Sequence, residues 1–163
     1  MMVLPKYSRS DRIGELYDEY LYRPVFNPEK PDPVRMNELK IDPWGAKHDF
    51  SPRKQNTGRE AKVPILLINA TTLNTGHNWR FEAVRMGEPR NNDEVAKEVD
   101  KNLRLRRPKY DQIEHTGHHQ FELGLAVAAS ACVPGIFPPL AISNLYHDLR
   151  VQLTDGGVHR SEE

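Results

Sequence analysis

The sequence predicts an α/β fold built around a mostly parallel central sheet. Three stretches predict it. The run VPILLIN at positions 63–69 is short and unbroken in its apolar character, the pattern of a strand covered on both faces, as the strands of a parallel sheet are. LGLAVAASACVPGIFPPL at 123–140 starts as an apolar, small-residue helix and ends as a proline-broken loop. VQLTDGGV at 151–158 reads as a strand that ends on Asp155-Gly156-Gly157, which sets one carboxylate at the mouth of such a sheet.

The elements follow in chain order. Ser10 is a candidate N-cap, and Ile13, Leu16, Tyr17, Tyr20 and Leu21 then repeat with the spacing of an amphipathic helix. Residues 24–60 hold Pro24, Pro28, Pro31, Pro33, Pro43 and Pro52 and read as a long irregular surface excursion with at most a short strand at 34–41. An irregular stretch of that length inside a domain is uncommon and signals function, disorder or a missing partner. After the strand at 63–69, TTLNTGHN at 71–78 is turn-rich, and WRFEAV at 79–84 alternates with period two, the mark of a more exposed strand. Residues 87–120 are polar and charged, a loop with one weak helical stretch. Residues 123–142 carry few polar groups, but Pro134, Pro138 and Pro139 oppose a membrane-spanning helix. They read instead as a buried helix at about 121–132 followed by an extended apolar loop.

Length and composition bound what this chain can be. Its 163 residues make one domain or a piece of a larger one. Apolar residues are 37% of the chain and mean hydropathy is −0.72, a lean supply for a core of this size. Lysine plus arginine and aspartate plus glutamate both total 23, so no global charge draws the chain to nucleic acid or to an anionic membrane. The single Cys132 excludes an internal disulfide framework and any cysteine-based zinc site. The N-terminus has no apolar h-region, so a cytoplasmic location is expected, with peripheral membrane contact compatible with it.

Among chemistry-bearing groups, Asp155 stands first. Asp-Gly is a common turn signal, and on local grounds a structural turn suffices. The functional alternative is a base held at a strand end, with Gly156 and Gly157 allowing close backbone approach. Paired with a serine hydroxyl, such an aspartate would take its proton during acyl transfer. His115, His118 and His119 would share a metal only on a helix, which Gly117 opposes, so HTGHH reads as a solvated loop. His77 sits in a polar turn and reads as structural. The basic run Lys101, Arg104, Arg106, Arg107 and Lys109 lacks stacking aromatics beyond Tyr110 and reads as a solvated face or a local anionic-lipid contact, not a nucleic-acid site. Cys132 reads as a small core residue, and Ser130 has no G-x-S-x-G around it.

Three segments carry a resemblance: VPILLINATTLNTGHNWRFEAVRMGEP, ELGLAVAASACVPGIFPPLAI and VQLTDGGVH. Together they resemble the later part of a bacterial patatin-like phospholipase domain, over most of the chain from about Asp11 onward. The most specific elements are A-x-x-A-S-A-x-V-P-G-x-F-x-P-L and D-G-G, with Ser130 and Asp155 lying 25 positions apart. The resemblance implies an incomplete three-layer sandwich with a mostly parallel sheet, a partial domain over 1–163. It implies lipid acyl-ester hydrolysis by a serine–aspartate dyad without histidine, no cofactor and no metal. Asp155 would be the catalytic aspartate, Gly156 and Gly157 would shape its loop, and residues 129–139 would line or support the acyl site. The family's serine lies in a G-x-S-x-G elbow, with a glycine-rich oxyanion loop before it. Neither is present in these residues, so the chain resembles a family member cut at both ends.

Two functions from different classes follow. One is the aspartate-bearing part of a lipid acyl hydrolase, inactive until an upstream segment supplies serine and oxyanion donors. The other is a non-catalytic remnant that serves as a binding or assembly module, with oligomerisation through an exposed sheet edge.

Overall fold

The computed structural model describes residues 7–45, 50–88, 109–113, 120–146 and 149–157. Helix α1 (Arg9–Tyr17) is capped by Ser8 rather than Ser10. The Ser8 hydroxyl accepts the Asp11 N–H, and the Asp11 carboxylate accepts the Ser8 N–H at 2.7 Å, a reciprocal capping box. Ser10 is buried and donates its hydroxyl to the Pro138 carbonyl, which pins the start of α1 to the proline-rich loop far along the chain. A π-helical turn (Asp18–Tyr22) follows, the Arg23 N–H reaching back five residues to the Asp18 carbonyl, and then the short α2 (Arg23–Phe26). The wider turn shifts the side-chain register. Ile13 and Tyr17 pack against the core as the 3.6-residue period requires, whereas Tyr20 and Leu21 are exposed.

Five strands form one sheet: β1 (Ile68–Thr72), β2 (Asn78–Phe81), β3 (Met86–Gly87), β4 (Leu140–Tyr146) and β5 (Leu149–Asp155). Their order is β3-β2-β1-β5-β4 and every pairing is antiparallel, in a curled half-barrel. The expected α/β sandwich with a mostly parallel sheet is therefore wrong: the architecture is α+β. Chain connectivity gives the reason. Only residues 73–77 join β1 to β2 and residues 82–85 join β2 to β3, while a parallel crossover needs a dozen residues or more. The apolar run that suggested a doubly covered strand does not form one. Ile65, Leu66 and Leu67 are exposed, and the strand starts only at Ile68. The expected apolar loop after the helix holds through residue 139, but its last three residues already belong to a strand, β4, hairpinned onto β5 with a register shift between Ile142 and Tyr146.

Helix α4 (Leu123–Ser130) contacts β1 and β5 on one side and α1 on another. Its sequence, LGLAVAAS, is apolar all round, as a helix with protein on both sides should be. Gly14 and Gly124 make the α1–α4 crossing close: a Cβ on Gly124 would overlap the Gly14 carbonyl oxygen, and one on Gly14 would lie 2.7 Å from Leu125 Cδ2. The core joins Trp79, Phe81, Met86, Phe121, Leu140 and Leu153, with the Phe81 and Phe121 rings stacked at 5.1 Å.

The proline-rich stretch has local order of its own. Within 34–41 the structure forms a 3₁₀ turn (Met36–Leu39) in place of a strand, and α3 (Pro52–Gln55) follows. Val34 and Met36 are fully buried. Two backbone bonds, Met36 N–H to the Phe121 carbonyl at 2.8 Å and Leu123 N–H to the Val34 carbonyl at 2.9 Å, dock it onto the start of α4. Buried Asp18 accepts the Val34 N–H at 2.7 Å and the Arg23 Nε–H at 2.9 Å, so one carboxylate ties the π turn to the excursion. Among the described residues no helix is long and apolar enough to cross a membrane.

Candidate functional site

Asp155 is the last residue of β5, a central strand paired with β1 on one side and β4 on the other. Its register partner on β1 is Ala70. Three bonds fasten this strand end to the C-terminus of α4. The Asp155 N–H donates to the Cys132 carbonyl at 3.0 Å, the Thr154 hydroxyl donates to the same oxygen at 2.8 Å, and the Gly156 N–H donates to the Ser130 carbonyl at 3.4 Å. Carbonyls at the end of a helix lack partners within it, so the Gly156 bond satisfies the last helical carbonyl while the other two hold the chain just beyond it. The helix motif and the D-G-G triplet, distant in sequence, thus meet in space.

The Asp155 carboxylate is half-buried, and its Oδ1 accepts the Gly157 N–H at 3.0 Å, an Asx turn. Among the described residues it has no cation and no hydroxyl donor within hydrogen-bond reach. The two glycines differ in why they are needed. A Cβ on Gly156 would overlap the Asn69 carbonyl oxygen, whereas one on Gly157 would meet nothing nearer than Asp155 Oδ1 at 3.7 Å. Neither has a positive φ, so only Gly156 answers to close backbone approach.

Cys132 is buried beside this site. Burial first, and then the negative charges of Asp11 and Asp155, push its thiol pKa up, the reverse of what a nucleophilic thiolate requires. Ser130 ends α4, and its backbone, not its hydroxyl, is what meets the D-G-G turn.

Sequence reasoning missed Glu88, which is fully buried in the turn region. Its Oε1 accepts the hydroxyls of Thr72, at 3.0 Å, and Thr75, while His77 Nδ1 lies 3.5 Å from its Oε2. Nothing in G-E-P marks it, because its environment is assembled by the β1–β2 turn folding over it. His77 accordingly belongs to that turn. His115, His118 and His119 and the basic residues from Lys101 to Arg107 lie outside the described residues. Among the described residues no group of three or more histidine, cysteine, aspartate or glutamate side chains could hold a metal ion.

Chemically, the described residues offer one positioned carboxylate that can accept a proton, and among them no activated nucleophile stands beside it. No family model, curated protein or solved structure matches the chain.

Proposed function

We propose that this chain is the aspartate-bearing part of a patatin-like serine lipid acyl hydrolase, with Asp155 as the general base of a serine–aspartate dyad. The observation that supports it most is the seam just described. The A-S-A-C-V-P-G segment is held by two hydrogen bonds from D-G-G and a third from the preceding Thr154, and the Asp155 carboxylate keeps an oxygen without a partner among the described residues. Support comes from this local constellation and the sequence motifs, not from the antiparallel sheet.

In the proposed reaction, a serine outside these residues attacks the acyl-ester carbonyl while Asp155 takes its hydroxyl proton. Collapse of the intermediate passes that proton to the departing alcohol oxygen and leaves the acyl group on serine. Water, deprotonated by the same carboxylate, then releases the fatty acid and restores the hydroxyl. The oxyanion donors would come with the serine.

A fluorophosphonate serine-hydrolase probe tests this. The pure chain alone should not label. Mixed with the upstream half of a related patatin-like domain bearing G-x-S-x-G, that half should label, and labelling should disappear with Asp155→Asn. Labelling that survives Asp155→Asn, or no labelling within a complex detected by sedimentation, would overturn it.

The second reading, a non-catalytic assembly module, is favoured by exposed apolar side chains: Tyr20, Leu21, Val25 and Phe26 on one segment, Ile65, Leu66 and Leu67 on another. The outer edge of β4 is unpaired among the described residues and offers a place for association. Concentration-dependent sedimentation with no labelling in any mixture is what this alternative requires.

A further inference from the structure

A pocket of about 710 Å3 opens between the proline-rich segment and the β2–β3 turn, within the ~300–1,000 Å3 range of small-molecule sites. Neither Asp155 nor its glycines line it. Its walls combine two chemistries. Leu39, Ile41, Val63, Ile65, Leu66 and Val84 supply an aliphatic surface, and three of them, Ile41, Ile65 and Leu66, are at least 40% exposed. Lys40, Arg53, Lys54, Arg85 and Lys109 supply cations, against the carboxylate of Glu82, the one acidic lining residue among those described.

The charges are not balanced among the described lining residues. Arg53, at 2.8 Å, and Arg85, at 3.7 Å, both face Glu82, so two guanidiniums share one anion. Arg85 Nε has no hydrogen-bond acceptor among the described residues, although it is closed off from solvent. Lys40 has Asp42 at 3.4 Å. Lys54 and Lys109 have no ion pair among the described residues. Lys109 is the bridge partner of Arg85, so these two cations stand side by side on neighbouring backbone segments. Tyr110 closes this end, its hydroxyl bonded to the Glu82 carbonyl at 2.9 Å.

We propose that this pocket binds a single-chain amphiphilic anion, a carboxylate or phosphate head held by Arg85, Lys109 and Lys54 with an alkyl chain along the aliphatic wall. The excess of cations selects the head's charge, and guanidinium and ammonium groups both suit carboxylate and phosphate oxygens. The described wall is mainly aliphatic, with Phe50 and Tyr110 its aromatic members and the Phe50 ring already covered by the Arg59 guanidinium, which fits an alkyl chain over a stacking ring. An anion alone would leave the wall wet, and a neutral chain would leave the cations uncompensated. This site goes beyond the proposed hydrolysis and stands without it.

The test is calorimetric titration of the full chain with laurate below its micelle concentration, with dodecyl phosphate, inorganic phosphate and dodecanol beside it. The expected result is saturable one-to-one binding of laurate or dodecyl phosphate, with phosphate and dodecanol each at least about tenfold weaker. Whichever of the two amphiphiles binds tighter identifies the head group, and either order supports the site. Lys109→Glu and Leu66→Asp, both at exposed positions that leave the core intact, should each weaken binding about tenfold or more. Circular dichroism confirms that each variant is folded. Undetectable amphiphile binding, equal binding of dodecanol or of phosphate, or binding unchanged in both folded variants would overturn the proposal.

Discussion

At the scale of single residues, the D-G-G triplet separates into parts with different physical roles. Gly156 packs its Cα against the Asn69 carbonyl, and Gly157 has room for a methyl group. Gly156→Ala should therefore cost about 1–3 kcal/mol through forced displacement of β1 or β5. Gly157→Ala should leave stability nearly unchanged; urea denaturation of the two variants reads the contrast directly. Glu122, the residue before α4, gives a pH signature. Burial, reinforced by the carboxylates of Asp18 and Glu15, raises its pKa, while Arg35 and Arg23 only partly counter this. The folded state then holds its proton more tightly than the unfolded chain, so its contribution is fully present at low pH and declines as pH rises through the raised value. Glu122→Gln should melt above the unsubstituted protein at pH 7 and coincide with it below about pH 4, the ordinary carboxylate range. A melting-temperature series against pH checks the sign.

At the scale of elements, two junctions decide how the pieces meet. The α1–α4 crossing depends on the absence of two Cβ atoms, since Gly124 faces the Gly14 backbone oxygen. Gly124→Ala would raise intrinsic helix propensity, yet should destabilise by about 1–3 kcal/mol, because overpacking of backbone against backbone outweighs propensity. Asp18 is the second junction. Removing its carboxylate leaves the buried Val34 N–H without an acceptor, so Asp18→Ala should cost about 1–3 kcal/mol. The loss should show first as faster proteolysis within residues 24–60. Protection of that stretch unchanged in the variant would argue that Val34 and Met36 hold it by burial alone. The π turn beside Asp18 also explains why regular helical spacing failed at Tyr20 and Leu21: one wide turn rotates everything after it.

At the scale of the whole molecule, β1 and β5 are the centre of the sheet and α4 covers them, so the candidate aspartate stands at the end of a well-supported strand. Cys132 lies at this centre with 2% of its surface exposed. Its alkylation by iodoacetamide should track global unfolding rather than local opening, and its rate should rise in parallel with the fraction unfolded across a denaturant series. Fast alkylation under native conditions would mean that the α4–β5 seam opens by itself. That seam holds Asp155, so the same experiment reports on the rigidity of the candidate site.

The local signals in this chain were strong where one element decides its own structure. The small-residue helix, the strand ending on Asp155 and the alternation of Trp79, Arg80 and Phe81 are all legible because periodicity and turn residues act over a few positions. The candidate aspartate's place at a strand end was legible for the same reason. Strand direction was not, because the run at 63–69 satisfies a buried parallel strand and an exposed apolar connector equally well. Strand β4 was hidden inside an apolar stretch dominated by prolines, although the buried Leu140 and Ile142 alternate across it. Glu88, the contact between the Gly156 backbone and Asn69, and the cationic pocket have no signal in sequence, since each is assembled from segments brought together only by folding. The sequence by itself determined the small-residue helix, the alternation at residues 79–81 and the carboxylate at the end of the last strand. Only the tertiary structure decided that short hairpin connections turn the sheet antiparallel, and that the end of α4 and the chain just beyond it, whose carbonyls need donors, take them from the end of β5 and its D-G-G turn.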